Sequence, residues 1–200
     1  MSNQKKKGMN LPNKLTVLRV CLVPVFIVVM MLPASVLHPI ISGLIGVAIF
    51  IAASFTDMLD GKIARKYGLV TDFGKLMDPL ADKFMVIGAL AVIVYRANTN
   101  ALRLVFTLVL LGGIFRELAV TSLRLVASTS AGAVVAANML GKIKTNTQIV
   151  CVSVLLLEPI VLPFCRGWLS LLSVIVMAVF TLWSGLNYIL SYWKYLDTEK

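Results

Sequence analysis

Five runs, Val20–Leu32, Ile40–Ser54, Phe84–Tyr95, Leu104–Phe115 and Leu169–Trp183, carry almost no charge. A helix needs about 20 mostly apolar residues to cross a bilayer, and a helix apolar on every side belongs in lipid. The whole chain agrees: 59% of its 200 residues are hydrophobic and 14% are charged, where a soluble domain carries roughly 25% charged residues. The sequence therefore predicts an all-α, polytopic membrane protein with six transmembrane helices, near 15–33, 39–57, 78–96, 103–125, 146–164 and 168–193. The mixed stretch Met9–Arg19 reads as an interfacial amphipathic segment leading into the first span. The alternative for that stretch is a solvated tail. A cleaved signal peptide fits the start poorly, because the apolar pattern already begins at Leu11 and Leu15. One membrane-embedded domain, residues 1–200, is expected.

The formal net charge is +10, and its placement decides what it means. The cations sit between hydrophobic spans, which argues for an anionic membrane surface and against nucleic acid. Lys5, Lys6, Lys7, Lys14, Arg19, Lys62, Arg65, Lys66, Lys75, Lys83, Arg124, Lys142, Lys144, Lys194 and Lys200 gather on one side; Arg96, Arg103 and Arg166 fall on the other. The excess marks the cytoplasmic face. A multi-pass protein of the cell membrane is expected, with both termini and the chemistry cytoplasmic. Cys21, Cys151 and Cys165 have no metal-type spacing, and the lone His38 lies in a short loop.

Five of the nine acidic residues fall between Asp57 and Asp82. Ionisable groups at membrane depth are expensive and usually functional. Asp57, Asp60, Gly61, Ala64 and Arg65 share one helical face, as do Gly74, Asp78 and Asp82. The bland alternative for any one aspartate is a cap, at Asp78, or an ion pair with Lys62 or Arg65, at Asp57 and Asp60. Four of them turned inward on neighbouring helices would repel each other and need cations. Oxygen ligands without histidine or thiolate select Mg²⁺, Mn²⁺ or Ca²⁺ over zinc. Gly61 and Ala64 leave the helix face bare for a ligand, and Arg65 offers a fork for a phosphate.

The string Asp57-Met-Leu-Asp60-Gly61-Lys-Ile-Ala64-Arg65, eight residues, then Gly74-Lys-Leu-Met-Asp78-Pro-Leu-Ala-Asp82 resembles the signature of the CDP-alcohol phosphotransferases. The resemblance implies that a phosphatidyl group moves from CDP-diacylglycerol to a small alcohol with two divalent ions, Mg²⁺ or Mn²⁺. It implies Asp57, Asp60 and Asp78 as metal ligands, with Asp82 as last ligand, catalytic base or both. CDP-diacylglycerol binding would fall to Asp60, Gly61, Ala64, Arg65 and Gly74. A homodimer is also implied.

Further along, Arg116-Glu117, Arg124 and Gly141-Lys142-Ile-Lys144-Thr145 supply cations suited to a phosphate monoester; ordinary juxtamembrane charge is the bland alternative. With Asn10-Leu-Pro12-Asn13-Lys-Leu-Thr16-Val-Leu-Arg19, they resemble the branch of that family that makes phosphatidylglycerophosphate. The resemblance then implies sn-glycerol 3-phosphate as acceptor, bound by Arg116, Arg124, Lys142, Lys144 and Thr145. Two competitors stand: a cardiolipin synthase of the same family, and a cation transporter with buried aspartates. The transporter leaves the spacing of Gly61, Ala64 and Arg65 without a purpose.

Overall fold

A computed structural model describes residues 9–69, 71–131 and 139–193, with side chains except at 65 and 127–131. Of the orienting cations, Lys5, Lys6, Lys7, Lys194 and Lys200 lie outside the described residues. The described elements are six α-helices and one short 3₁₀ turn, Pro163–Cys165. The helices are α1 Leu11–Met31, α2 Pro39–Lys66, α3 Asp72–Arg96, α4 Asn100–Ala131, α5 Met139–Val161 and α6 Trp168–Tyr192. All but α3 are long and apolar enough to cross a membrane, so the chain is a multi-pass membrane protein. At 25 residues α3 has the length, but Asp72, Lys75, Asp78, Asp82 and Lys83 crowd its first half.

The helices start and stop where local chemistry allows. Asn10 caps α1 by accepting from Asn13 N at 3.1 Å, and Pro12 occupies the first turn, where no N–H is needed. From Leu11 the stretch Met9–Arg19 is continuous with α1 and forms its opening. His38 caps α2 through Nδ1, which accepts from Ile40 N. At the end of α2, Gly68 takes φ +62° and Leu69 N donates to Ala64 O at 2.9 Å, a glycine-dependent helix stop.

Between the expected spans, residues 58–66, 72–77, 126–131 and 139–145 are helix, so α2, α3, α4 and α5 reach beyond the apolar runs. Asp78-Pro79 is not the start of α3. Thr71 is the cap, its hydroxyl accepting from Gly74 N at 3.0 Å, and α3 begins six residues before Asp78. Pro79 then removes one backbone bond within the helix, at the carbonyl of the exposed Lys75. At the start of α6, Glu158 reaches across from α5. Its carboxylate accepts from Gly167 N, Leu169 N, Ser170 N and the Ser170 hydroxyl, which is why a buried acid is tolerated there.

The chain forms two compact units, Met1–Ala89 and Leu90–Lys200. In the first, α1 packs along α2 around Val23, Phe26, Met30, Phe50 and Ala53. The Phe26 and Phe50 rings lie 6.3 Å apart, and a Cβ at Gly46 would collide with the Met30 sulfur. On α3, Gly88 gives α1 a close approach: a Cβ there would meet Val23 at 3.2 Å and Ile27 at 3.3 Å. In the second unit, α6 packs against both α4 and α5, with Val152, Leu156, Val174 and Met177 buried. The exposed residues of α4 include Leu104, Leu108, Leu111, Phe115 and Leu118, an apolar surface suited to lipid.

Candidate functional site

In the first unit, the opening of α1 gathers the aspartates. Thr16 and Arg19 are three residues apart and share a helix face. The Thr16 hydroxyl donates to Asp78 Oδ1 at 2.6 Å. The Arg19 guanidinium forks, Nη1 to Asp57 Oδ1 and Nη2 to Asp60 Oδ2. One side of α1 thus holds three carboxylates from two other helices, and Asp60 lies within electrostatic reach of both Asp57 and Asp78. Asp60 is buried at 3% exposure, while the Asp57 side chain is 41% exposed. Asp82, one turn past Asp78, is half-buried.

Gly74 is buried and lets α1 approach α3: a Cβ there would meet Asn13 Oδ1 at 3.2 Å, Thr71 Oγ1 at 3.3 Å and Asp78 Oδ2 at 3.7 Å. Asn13 Oδ1 also accepts from the Thr71 hydroxyl at 2.9 Å. Gly61 and Ala64 are half-buried on the aspartate-bearing face of α2; the side chain of Arg65 is outside those described. The donor atoms at this centre are hard oxygens, which fit a Mg²⁺- or Mn²⁺-class ion. No three His, Cys, Asp or Glu among the described residues stand close enough to hold an ion as they are. Arg19 pairs with Asp57 and Asp60, and Thr16 with Asp78.

Asn13, Thr16 and Arg19 were not singled out from sequence as site residues. Asn13, Thr16 and Arg19 recur every third residue, polar positions along one face of a helix otherwise bound for lipid. That periodicity was the available signal.

In the second unit, three of the five expected acceptor residues come together. Arg116 Nη1 donates to Glu117 Oε1 at 3.0 Å, and Nη2 donates to the Ser184 hydroxyl. Lys144, buried, donates to the same Glu117 oxygen. Arg124 Nη2 donates to Tyr188 Oη at 2.6 Å. The Tyr188 ring faces both guanidiniums, their carbons 5.7 Å and 4.9 Å from its centroid. A Cβ at Gly185 would meet Arg116 Cγ at 3.1 Å, so α6 makes room for that arginine.

Lys142 and Thr145 do not join this group. Lys142 is exposed and, two residues from Lys144, points to another side of α5. The Thr145 hydroxyl is spent on Gly141 O at 3.1 Å. Sequence reasoning missed Ser184 and Tyr188, polar residues one turn apart on a helix that is otherwise strongly apolar.

Comparison with known proteins gives one consistent result. The family model described as CDP-alcohol phosphatidyltransferase matches residues 9–183. The chain is 42% identical over 198 residues to the CDP-diacylglycerol–glycerol-3-phosphate 3-phosphatidyltransferase of Bacillus subtilis (strain 168), covering 95% of this chain and 98% of that one. A protein of the same name from Salmonella paratyphi A is 35% identical over 184 residues, covering 90% and 93%. Another, from Rickettsia felis, is 35% identical over 149 residues, covering 74% and 75%.

Proposed function

The chain belongs to the CDP-alcohol phosphatidyltransferase family, and from that premise we propose that it transfers the phosphatidyl group of CDP-diacylglycerol to sn-glycerol 3-phosphate. The products are phosphatidylglycerophosphate and CMP. The observation that carries this reading is the 42% identity, spanning nearly the full length of both chains, to a relative bearing that activity in its name. The gathering of Asp57, Asp60 and Asp78 on one side of α1, and of Arg116, Arg124 and Lys144 around Tyr188 and Glu117, supports it chemically.

Asp57, Asp60, Asp78 and Asp82 would hold two divalent ions, Mg²⁺ or Mn²⁺. Bound there, the ions neutralise the diphosphate and the charge left on departing CMP. Gly61 and Ala64 receive the nucleotide against the bare helix face, and Arg65 grips a phosphate oxygen. Asp82 takes the proton from the acceptor's primary hydroxyl as that oxygen attacks the β-phosphorus. The bond to the CMP oxygen breaks in the same displacement, so no group on the enzyme carries the phosphatidyl moiety. Arg116, Arg124 and Lys144 hold the acceptor's phosphate; Lys142 and Thr145 take a lesser part.

The cations Lys14, Lys62, Lys66, Lys75, Lys83 and Lys142 support a cytoplasmic catalytic side at the plasma membrane, with α3 as the sixth crossing and both termini inside. The match of one family model across both units supports a single functional domain. A homodimer rests on the resemblance.

The test offers purified protein CDP-diacylglycerol and Mg²⁺ with one acceptor at a time. CMP release with sn-glycerol 3-phosphate, lost on chelation, is expected. Release with phosphatidylglycerol instead would mark a cardiolipin synthase, and no release with any acceptor would remove the enzyme reading. A second expectation concerns the donor. Gly61→Leu and Ala64→Leu should abolish binding of a CDP-containing ligand by filling the helix face. Unchanged affinity in both would place the nucleotide elsewhere.

A further inference from the structure

Arg19 lies within an apolar helix with 1% of its side chain exposed. A charge at such a place persists only when it is paired. Its hydrogen bonds go to Asp57 and Asp60, one guanidinium nitrogen to each carboxylate. Its third nitrogen, Nε, is buried without a hydrogen-bond partner. The guanidinium is therefore held by two carboxylates that the functional reading assigns to metal.

We propose that Arg19 is a tethered counter-ion that competes with divalent cations for Asp57 and Asp60, and so sets the metal affinity of the site. This rests on the reading of those aspartates as metal ligands. A guanidinium and a hard divalent ion seek the same carboxylate oxygens, and two cations crowded onto one carboxylate pair repel each other. Arg19 occupies one oxygen of each carboxylate, Asp57 Oδ1 and Asp60 Oδ2. Without metal, Asp60 is buried beside two further acids, and Arg19 supplies the opposite charge that keeps the packed site together. With metal, the ion takes over that neutralising role and the guanidinium withdraws. The half-exposed Asp57 leaves an ion a side from which to approach the pair. The arrangement ties both carboxylates to an internal cation and makes metal binding an exchange rather than an addition.

The experiment measures Mn²⁺ binding by electron paramagnetic resonance, and unfolding midpoints in EDTA and in Mg²⁺, for wild type, Arg19→Gln and Arg19→Lys. Loss of the competing charge should tighten Mn²⁺ binding about tenfold in Arg19→Gln, the scale of one unit-charge contact. Arg19→Lys, a point charge without the fork, should fall between. In EDTA, Arg19→Gln should unfold at a lower temperature than wild type, and Mg²⁺ should raise its midpoint by more. Unchanged or weaker Mn²⁺ binding in Arg19→Gln overturns the proposal. So does a variant that stays unfolded in saturating Mg²⁺, since the ion would then be unable to replace the guanidinium. If the wild type and both variants alike bind no Mn²⁺, the metal reading of the aspartates itself fails.

Discussion

Asp60→Asn is expected to lower turnover by about three orders of magnitude or more while leaving the protein folded, and Asp57→Asn and Asp78→Asn should do the same. Residues that act as one catalytic unit fail together, so removing one costs nearly as much as removing all. The folded state survives because asparagine keeps an oxygen in each position. In Asp60→Asn the amide oxygen still accepts from Arg19, and Asp57 still supplies an anion to the other arm of the fork. In Asp78→Asn the Thr16 hydroxyl keeps its acceptor. What is lost is charge, and charge is what holds a hard divalent ion. CMP release in saturating Mg²⁺ measures the effect, with the helical signal and unfolding midpoint as the check on folding. Asp72 is the control. It is 99% exposed and paired with Lys75 at 3.0 Å on the helix surface, where such a pair contributes little. Asp72→Asn should turn over normally. Near-normal activity in Asp57→Asn, Asp60→Asn or Asp78→Asn would remove that residue from the ligand set.

The carboxylate centre was legible in the sequence because its chemistry is local. Asp57 and Asp60 lie one turn apart, as do Asp78 and Asp82, and helical periodicity alone turns each pair to one face. The helical, membrane-spanning architecture was legible for the same reason, since long apolar runs have few ways to fold. Boundaries were less so. Asp78-Pro79 looks like a helix start, yet the Thr71 hydroxyl captures Gly74 N earlier, and Pro79 sits inside the helix. Arg19 shows the limit most clearly. In sequence it is a cation near a cytoplasmic helix end, spaced to share a face with Asn13 and Thr16 but with no partner named. Only packing of α1 against α2 reveals that Lys14 is exposed and Arg19 enclosed between two aspartates. Glu158 is similar: its role as the cap of α6 depends on a turn that brings Gly167 and Ser170 back over α5. Periodicity can mark a polar face, but it does not name the partner on another helix.

The acceptor's phosphate provides the second large effect. A phosphate monoester carries roughly −1.5 to −2 charge near neutral pH and needs several convergent donors. Arg116, Arg124 and Lys144 meet that need, because Tyr188 aligns the two guanidiniums and Glu117 joins Arg116 to Lys144. Glu117 neutralises one charge of the three, so the group retains a net positive charge to offer an anion. Arg124→Ala and Lys144→Ala should each raise the KM for sn-glycerol 3-phosphate about 10–100-fold, the scale of a charge-assisted contact of about 1.5–3 kcal/mol. The KM for CDP-diacylglycerol should change far less. Each substitution should also narrow the gap between sn-glycerol 3-phosphate and plain glycerol as acceptors, since glycerol has no phosphate to lose contact with. Tyr188→Phe should show a smaller rise of the same kind: the ring still faces both guanidiniums, and only the Arg124 hydrogen bond is gone. Lys142→Ala, on another side of α5, should barely move it. Steady-state kinetics with the two substrates varied separately decide the matter. If Arg116, Arg124 and Lys144 can each be truncated without changing the acceptor KM, the phosphate binds elsewhere, and these cations serve only to hold α4, α5 and α6 together.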